Sequence, residues 1–315
     1  TFTNKAAGEM KRRLLEFHDL QERSYIGTIH GFCAEVLRER GAAIGLESAP
    51  TILESSNDQK ALLYRAIENT PDLRAECERR FSRESLEKIV GNWLNRIGEA
   101  KRGILAKSLP VDPQGDPLFL RVFEVYGNLM RAMGLVDFDD LLLLTRQLFI
   151  ERPKIAAFFR KLYRFICVDE AQDLNEAQYQ VLLALCGSDR TGVLMVGDPR
   201  QAIFGWGGAD PELLNRFVDD FKAATIHMPE NFRSAQRIVD AARTLEPTYE
   251  TDIRFPVAGE VFILEGETEK DEAVAVLDRI EELLKNGHPD LSEPVTLEKC
   301  AILARNRFAF SSLSA

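Results

Sequence analysis

The hydrophobic positions of this chain follow two patterns, one typical of helices and one typical of buried strands. Apolar residues recur at helical spacing among charged ones over 4–20 and over 31–40, and Gly41 ends the second stretch. Two shorter runs, 164–168 and 193–196, are almost continuously apolar. Such runs are typical of strands in a parallel sheet that is covered on both faces. The pattern therefore predicts an α/β fold.

The segment 51–134 has a different pattern of apolar and charged residues, because its apolar residues lie in amphipathic and highly charged helical stretches. The predicted helices of this segment are 60–69, 85–101 and 118–133, and turn signals occur at Pro71, Gly103 and 112–117. Helices over 139–149 and 153–163 return the chain to the first strand, and a helix over 175–185 separates the two strands. We therefore expect an all-helical insertion that splits the sheet domain.

A second β-α-β pattern begins after residue 233. The predicted elements are a helix over 235–245, a strand over 259–264, a helix over 267–286 that ends at Gly287, and a strand over 299–303. These boundaries predict three regions, which are a sheet domain made of 1–50 and 135–230, a helical insertion of 51–134, and the beginning of another sheet domain at 231–315.

Acidic and amide side chains follow both predicted strands of the first sheet. Asp169-Glu170-Ala171-Gln172-Asp173 follows one strand, and Gly197-Asp198-Pro199-Arg200-Gln201 follows the other. Ligands of open parallel sheets bind beyond the carboxyl ends of the strands. Carboxylates there suit Mg²⁺ and a nucleotide, and a second carboxylate can accept a proton from attacking water. The alternative is that these residues are solvated loop and helix-cap residues, but two such strand ends together favour phosphoryl chemistry.

Composition narrows this picture. With 315 residues, 45% of them apolar, the chain is long enough for two domains. The net charge of −10 excludes a generally basic coat, so we expect any nucleic-acid contact to be local and partly aromatic. The five cysteines are far apart, which predicts free thiols in a reducing compartment. Neither a membrane span nor a signal peptide is predicted, so the expected location is the cytoplasm.

Four further segments accompany the two acidic ones. They are Thr1-Phe2-Thr3-Asn4-Lys5-Ala6-Ala7, Gly27-Thr28-Ile29-His30-Gly31-Phe32, Val136-Asp137-Phe138-Asp139-Asp140-Leu141 and Glu230-Asn231-Phe232-Arg233-Ser234. In this order the six segments resemble the motifs of the superfamily 1A DNA helicases, the UvrD, Rep and PcrA group. The resemblance is strong from residue 1 to about residue 240. It implies a RecA-like P-loop NTPase sheet domain with a helical insertion, followed by the start of a second RecA-like domain.

The resemblance implies ATP and Mg²⁺ as cofactors and gives roles to four residues. Asp169 matches the aspartate that holds Mg²⁺, and Glu170 matches the base that orients and deprotonates water. Gln201 matches the glutamine near the γ-phosphate, and Arg233 matches the arginine that reaches the nucleotide from the second domain. The alternative for Arg233 is an ordinary surface arginine at a helix start. Gln172 and Asp173 either link the nucleotide site to neighbouring motifs or, in the case of Asp173, cap a helix.

A motor that moves along a single strand needs aromatic side chains on which the bases can stack. The predicted DNA contacts are Phe2, Thr3, Thr28, His30, Phe204 and Trp206, with Lys5, Arg12, Arg305 and Arg307 as basic neighbours. For the aromatic residues the alternative is a core position, for His30 a structural role, and for the basic residues simple solvation. The chain departs from the family in two places, since it has Ala171 where an aromatic is usual and Gly207 where an arginine often follows the tryptophan. Both changes leave the metal, base and stacking groups intact.

The resemblance implies an ATP-dependent DNA helicase that travels 3′ to 5′ on single strands. Its expected partners are single-stranded DNA and junctions of single and double strands, together with repair or defence proteins. The chain contains no Gly-x-x-x-x-Gly-Lys-Ser/Thr loop, so we expect an N- and C-terminally truncated fragment that is inactive alone. Two alternatives stay open, which are a non-catalytic binding module on a helicase scaffold and the motor part of a helicase-nuclease.

Overall fold

The computed structural model describes residues 1, 3–14, 17, 24–46, 49–106, 115–188, 190–249 and 251–304, without the side chains of residues 83, 84 and 206. The chain forms two compact units, Thr1–Ala224 and Thr225–Ala315. The described structure is α/β and mostly helical, with small parallel sheets. No described helix is long and apolar enough to cross a membrane.

Helices dominate the first unit. They are α1 Asn4–Arg13, α2 Ile29–Arg40, α3 Ser56–Glu68, α4 Pro71–Arg80, α5 Arg83–Ala106, α6 Pro117–Ala132, α7 Phe138–Glu151, α8 Pro153–Leu162, α9 Glu176–Cys186 and α10 Glu212–Phe221. Local sequence explains where most of them begin. Many of these helices begin after an N-cap residue whose side chain accepts a backbone N–H. These N-caps are Thr3, Thr28, Ser55, Asp116, Asp137 and Asn175. Pro71, Pro117 and Pro153 occupy first-turn positions, where the missing N–H costs nothing.

Two pairs of parallel strands lie in the first unit. In one pair, β1 (Thr51–Ile52) lies beside β2 (Leu135–Val136). In the other, β3 (Ile166–Val168) lies beside β4 (Val193–Met195), with Ile166 opposite Val193 and Val168 opposite Met195. The predicted parallel pairing of the two apolar runs is therefore confirmed, although each strand has only three residues.

The described residues of the first unit form three hydrophobic clusters. One joins α2, α7, α8 and α9 through residues such as Leu37, Leu141 and Phe159. A second lies within 51–134 and is built from α3, α4, α5 and α6 around Trp93 and Phe119. The third covers one side of β3 and β4 with residues of α9 and α10, including Tyr179 and Phe217. Helix α5 contributes to two of these clusters, because Trp93 and Ile97 belong to the second and Leu105 to the first.

The second unit contains the strands β5 (Glu230–Asn231) and β6 (Asp252–Ile253), which pair in parallel, and the helices α11 (Gln236–Leu245) and α12 (Glu269–Asn286). Thr268 and Asp271 form a capping box at the start of α12. The predicted strands over 259–264 and 299–303 are wrong, since neither segment is a strand. Their composition suits a strand, but a strand also needs a hydrogen-bonded neighbour, and the described part of this unit provides none for them.

Some helix predictions also need correction. The helix predicted over 4–20 ends at Arg13, and most of the remaining positions lie outside the described residues. The turn signal at Pro71 marks the break between α3 and α4, whereas the turn predicted at Gly103 is wrong, because Gly103 lies inside α5. Helix α10 was not predicted, although Leu213 and Phe217 recur at helical spacing and are buried.

Candidate functional site

The parallel pairing of β3 and β4 places the two acidic segments side by side. Beyond the last strand residues, the N–H of Val196 donates to the carbonyl of Val168 at 2.8 Å, and the N–H of Ala171 donates to the carbonyl of Val196 at 2.9 Å. The backbones of 169–173 and 196–201 therefore leave the sheet together. This is the edge at which a nucleotide site was predicted.

Glu170 has an unusual backbone conformation at this edge. Its φ of 53° lies in the left-handed region, which costs a non-glycine residue about 1–3 kcal/mol. Its carbonyl accepts the N–H of Asp173 at 3.0 Å, which starts the turn Ala171–Asp173. The surrounding hydrogen bonds hold this conformation and turn the Glu170 side chain out of the strand direction into an exposed position. Such strain is found mostly at functional sites.

Gln172 links the two acidic segments through its side chain. It is only 2% exposed, its Nε2 donates to Glu170 Oε2 at 2.7 Å, and its Oε1 accepts the N–H of Asp198 at 3.2 Å. Gly197 makes this approach possible, because a Cβ there would lie 2.6 Å from Gln172 Oε1. The Glu170 carboxylate is therefore held in a fixed position relative to the second segment.

Gln201 extends this network. Its Nε2 donates to Asp198 Oδ2 at 3.0 Å, while Asp198 Oδ1 accepts the N–H of Arg200 at 3.0 Å. A continuous chain of hydrogen bonds therefore runs from the Glu170 carboxylate through Gln172 and the Asp198 residue to the exposed Gln201 amide.

Asp173 does not cap a helix, so that alternative is wrong. Asn175 is the N-cap of α9, and its Oδ1 accepts the N–H of Gln178 at 3.0 Å. Asp173 is buried, and its Oδ1 has no hydrogen-bond partner among the described residues. Burial, followed by the nearby charge of Glu170, raises the pKa of this carboxyl group.

Asp169 and Glu170 line a small cavity, whose other described walls are Thr1, Thr28, Ile29, His30, Val168, Leu174 and Gln178. It offers about 10 Å³ of free space, roughly the room for one water molecule. Within the described residues no hydrogen bond engages the Asp169 carboxylate, and no group of three His, Cys, Asp or Glu side chains could hold a metal. One or two carboxylates completed by water and phosphate oxygens are the usual ligand set of Mg²⁺, so these side chains fit that ion.

The opposite wall of the cavity is the start of α2. The Thr28 Oγ1 accepts the N–H of Gly31 at 3.1 Å, and Thr3 caps α1 in the same way through the N–H of Ala6 at 3.1 Å. Each hydroxyl keeps its own hydrogen for donation to another oxygen. Helix N-termini also attract phosphate groups, which agrees with the predicted role of both threonines in DNA contact.

His30 packs edge-on against Phe138, with ring centroids 5.6 Å apart. Burial lowers the pKa of His30, so the imidazole is neutral near pH 7 and offers a hydrogen bond but no charge. Phe138 was missed as a candidate, although it is 42% exposed at the first position of α7. The sequence signal that could have found it is a large aromatic residue at the first position of a helix, directly after its N-cap aspartate.

The other predicted DNA contacts are described only in part. Phe204 is half-buried, and its carbonyl accepts the N–H of Gly207 at 2.8 Å in the turn that carries Trp206. Gly208 follows with a φ of 83°, which a larger residue would adopt only with strain. Lys5 is exposed, and Arg12 is paired with Glu9 at 2.7 Å. Phe2, Arg305 and Arg307, together with the Trp206 side chain, lie outside the described residues.

Arg233 lies in the second unit, two residues after the end of β5. The Asn231 Oδ1 accepts the N–H groups of Arg233 and Ser234, at 3.0 and 2.9 Å, which fixes the turn before α11. The side chain of Arg233 is exposed. Its predicted meeting with Asp169 and Gln201 stays a prediction.

Comparison with known proteins gives these features a context. Residues 1–222 match the family model of the UvrD/REP helicase N-terminal domain. The chain is 30% identical over 301 residues to a probable DNA helicase II homolog of Mycoplasma capricolum, with 91% of this chain and 40% of that protein covered. It is 30% identical to the ATP-dependent DNA helicase PcrA of Leuconostoc citreum, with 97% and 41% covered. It is 32% identical to PcrA of Staphylococcus aureus, with 91% and 39% covered.

The chain therefore spans about 40% of the length of these relatives.

The first prediction concerns Gly197. A methyl group there would meet Gln172 Oε1 at 2.6 Å and the backbone nitrogens of Ala171 and Gln172 at 3.1 Å. We expect Gly197→Ala to lower the free energy of unfolding by about 1–3 kcal/mol in urea titrations, because the added methyl group must displace the buried Gln172 side chain. Gly205→Ala is the matched control, because a Cβ at that position meets nothing within 4 Å. Equal stability of the two variants would contradict the packing described here.

The second prediction concerns pH. Because burial lowers the pKa of His30 in the folded state, the unfolded state takes up a proton more readily as pH falls. Stability is therefore complete above the unfolded pKa of about 6.5 and declines as pH falls through it. We expect His30→Gln to reduce the loss of unfolding free energy between pH 7.5 and 5.5. The exposed His227, changed to Gln, serves as control and should leave that loss unchanged.

Proposed function

The chain belongs to the UvrD/REP helicase family, and on that premise we propose that it forms part of the motor of an ATP-dependent DNA helicase. This membership confirms the resemblance to the UvrD, Rep and PcrA group. The proposal extends the activity named for the PcrA relatives to the protein that contains this chain. It includes 3′ to 5′ movement on single-stranded DNA, unwinding at junctions, and a cytoplasmic role in DNA repair or defence.

The proposed domains follow from the same membership. Residues 1–50 and 135–230 form a first RecA-like domain, 51–134 form the helical insertion, and 231–315 begin a second RecA-like domain. The separate hydrophobic cluster within 51–134 supports the boundary of the insertion. The division of the chain after Ala224 supports a second domain that starts near residue 231.

The observation that carries the proposed chemistry is the bridge made by Gln172. It joins the Glu170 carboxylate to the N–H of Asp198, and thus couples the ends of two strands. A general base must be held within hydrogen-bonding reach of the proton that it removes, and a strained backbone with a fixed carboxylate meets that need. A purely solvated loop residue has no reason for such restraint.

The residues then take the following roles. Bound Mg²⁺-ATP supplies the phosphoryl group and the metal that offsets its charge. Asp169 would hold the metal through its carboxylate, and Glu170 would orient the attacking water and accept its proton. The Gln201 amide, anchored on Asp198, would donate to the terminal phosphate. Arg233, in the second unit, carries a guanidinium that could donate two hydrogen bonds to a phosphate group, which is the role the family membership proposes for it.

In this proposal the DNA strand contacts the starts of α1 and α2, and Thr28 and His30 line the same cavity as Asp169 and Glu170. Thr3, Thr28 and the neutral His30 donate hydrogen bonds to phosphate oxygens. Phe2, Phe204 and Trp206 offer ring faces for bases, and Phe138 joins them because its exposed ring lies against His30. Aromatic contacts suit a chain with a net charge of −10, since they need no broad basic surface.

The third prediction tests the catalytic role of Glu170 in the protein that contains this chain. We expect Glu170→Gln to lower DNA-stimulated ATP hydrolysis at least about 100-fold, because the general base is lost while the shape is kept. Binding to single-stranded DNA should stay within about twofold of wild type. Glu39→Gln, at an exposed site near the end of α2, is the matched control and should retain activity.

Two results would count against this proposal. Near-normal hydrolysis by Glu170→Gln would remove the proposed base. A wild-type protein that binds DNA but shows no DNA-stimulated ATP hydrolysis would favour the non-catalytic binding module.

The fourth prediction tests the proposed strand contact. We expect Trp206→Ala to weaken binding of a fluorescent oligothymidine by about 5- to 100-fold in anisotropy titrations, since stacking contributes about 1–3 kcal/mol per base. The control is Phe165→Ala, which removes a 78% exposed ring at the opposite end of β3 from the site. Equal losses in the two variants would exclude a specific role for Trp206.

A further inference from the structure

Helix α5 passes from one hydrophobic cluster into another. Trp93 and Ile97 are buried in the cluster of the helical insertion, whereas Leu105 is buried with residues of α2 and α7. Lys101 lies between these two sets on the same helix and is itself only 5% exposed. A buried lysine is rare unless it is paired, so its partners indicate what it does.

Lys101 is paired with two aspartates at the start of α7. Its Nζ lies 2.6 Å from Asp137 Oδ2 and 2.7 Å from Asp140 Oδ1. Burial acts to lower the pKa of Lys101, but Asp140 and Asp137 outweigh it and raise that pKa, so the ammonium stays charged. The same ammonium lies 5.9 Å from the ring centre of Tyr126, which belongs to the insertion.

The same two aspartates form the capping box of α7. Asp137 Oδ1 accepts the N–H of Asp140 at 2.8 Å, and Asp140 Oδ2 accepts the N–H of Asp137 at 3.1 Å. Each carboxylate therefore uses one oxygen for the cap and the other for Lys101. Burial raises the pKa of Asp140, which shows that its charge is costly there. Without the ammonium, two buried like charges would oppose each other across the cap.

The capping box holds Phe138, the first residue of α7, whose ring packs on His30. His30 in turn lines the cavity that contains Asp169 and Glu170. A short sequence of contacts thus leads from the insertion helix α5 through Lys101 and the cap to this pair of rings.

We propose that Lys101 is a positioning residue that keeps the α7 cap closed and thereby holds Phe138 against His30 for contact with the DNA strand. Its influence on DNA rests on the function proposed above, whereas its influence on the cap does not. The helical insertion thus contributes to strand binding through one buried ammonium, at a distance from any surface that meets the strand.

The chain offers a close control one residue further along. Arg102 also pairs α5 with α7, since its Nη1 lies 2.9 Å from Asp139 Oδ2. Its side chain is 35% exposed, compared with 7% for Lys101, and Asp139 takes no part in the capping box. Loss of Arg102 therefore removes an ion pair between the same two helices and leaves the cap intact.

The fifth prediction compares three variants of the protein that contains this chain, K101M, R102M and K101M/D137S/D140Q. The triple variant replaces the charged capping box with a neutral Ser-x-x-Gln box, which needs no counter-ion. It also keeps the test decisive if K101M alone is too unstable to purify. The two measurements are amide hydrogen exchange over residues 138–142 without DNA, and affinity for a fluorescent oligothymidine.

We expect K101M to speed amide exchange over 138–142 at least tenfold and to weaken oligothymidine binding about tenfold, as loss of one stacked base does. R102M should stay within about twofold of wild type in both measurements, because the half-buried Arg102–Asp139 pair takes no part in the capping box. The triple variant should recover the exchange rates and the affinity to within about threefold of wild type, because its neutral cap restores the start of α7.

Unchanged exchange in K101M would overturn the proposal, whether or not the protein binds DNA. Equal losses of affinity in K101M and R102M would also overturn it, as would a folded triple variant that fails to recover affinity, because Lys101 would then act by direct contact. A wild-type protein that does not bind oligothymidine would refute the proposed function alone, and hydrogen exchange would still decide the role of Lys101 at the cap.

Discussion

The hydrogen-bonded pairing of β3 with β4 is the constraint on which the candidate site depends. It aligns Val168 with Met195, and the two further bonds between Val168, Val196 and Ala171 carry the alignment past the ends of the strands. Only because the two segments leave the sheet in register does the Gln172 side chain reach both Glu170 and the N–H of Asp198. The left-handed backbone of Glu170 is tolerated for the same reason, since its neighbours on both sides are fixed.

The sequence predicted the structure best where a buried apolar run is followed directly by acidic and amide residues. Two continuous apolar runs, each followed by acidic and amide residues, predicted a parallel pair with a polar edge, and the pair is present. The prediction of a strand over 259–264 was wrong because the composition of a segment does not show whether a neighbouring strand exists. The apolar residues that suggested this strand include Val261, Phe262 and Ile263. Phe138 was missed because its exposure follows from the geometry of a capping box, not from its own spacing. Gln172 was a candidate link from its place in the motif, but its two hydrogen bonds needed coordinates.

The acidic residues of this chain differ in their partners from place to place, which the net charge of −10 does not show. Asp169 and Glu170, at the edge of β3, face a cavity, and among the described residues neither forms an ion pair with a lysine or arginine side chain. The aspartates at the start of α7 are instead neutralised by Lys101 and Arg102. Acidic motifs of similar sequence therefore have different roles in this chain. The residues that pair with them distinguish a candidate ligand site from a structural ion pair between helices.

The short strands β1 and β2 lie at the two ends of the helical segment 51–134 and pair with each other. Thr51 N–H donates to the carbonyl of Gly134 at 3.0 Å, and Leu53 N–H donates to the carbonyl of Val136 at 2.8 Å. The bonded ribbon is a second attachment of this segment, because α5 also extends from it into the cluster that contains Leu105. With its two ends bonded to each other and one helix buried on both sides, the segment resists rotation relative to α2 and α7.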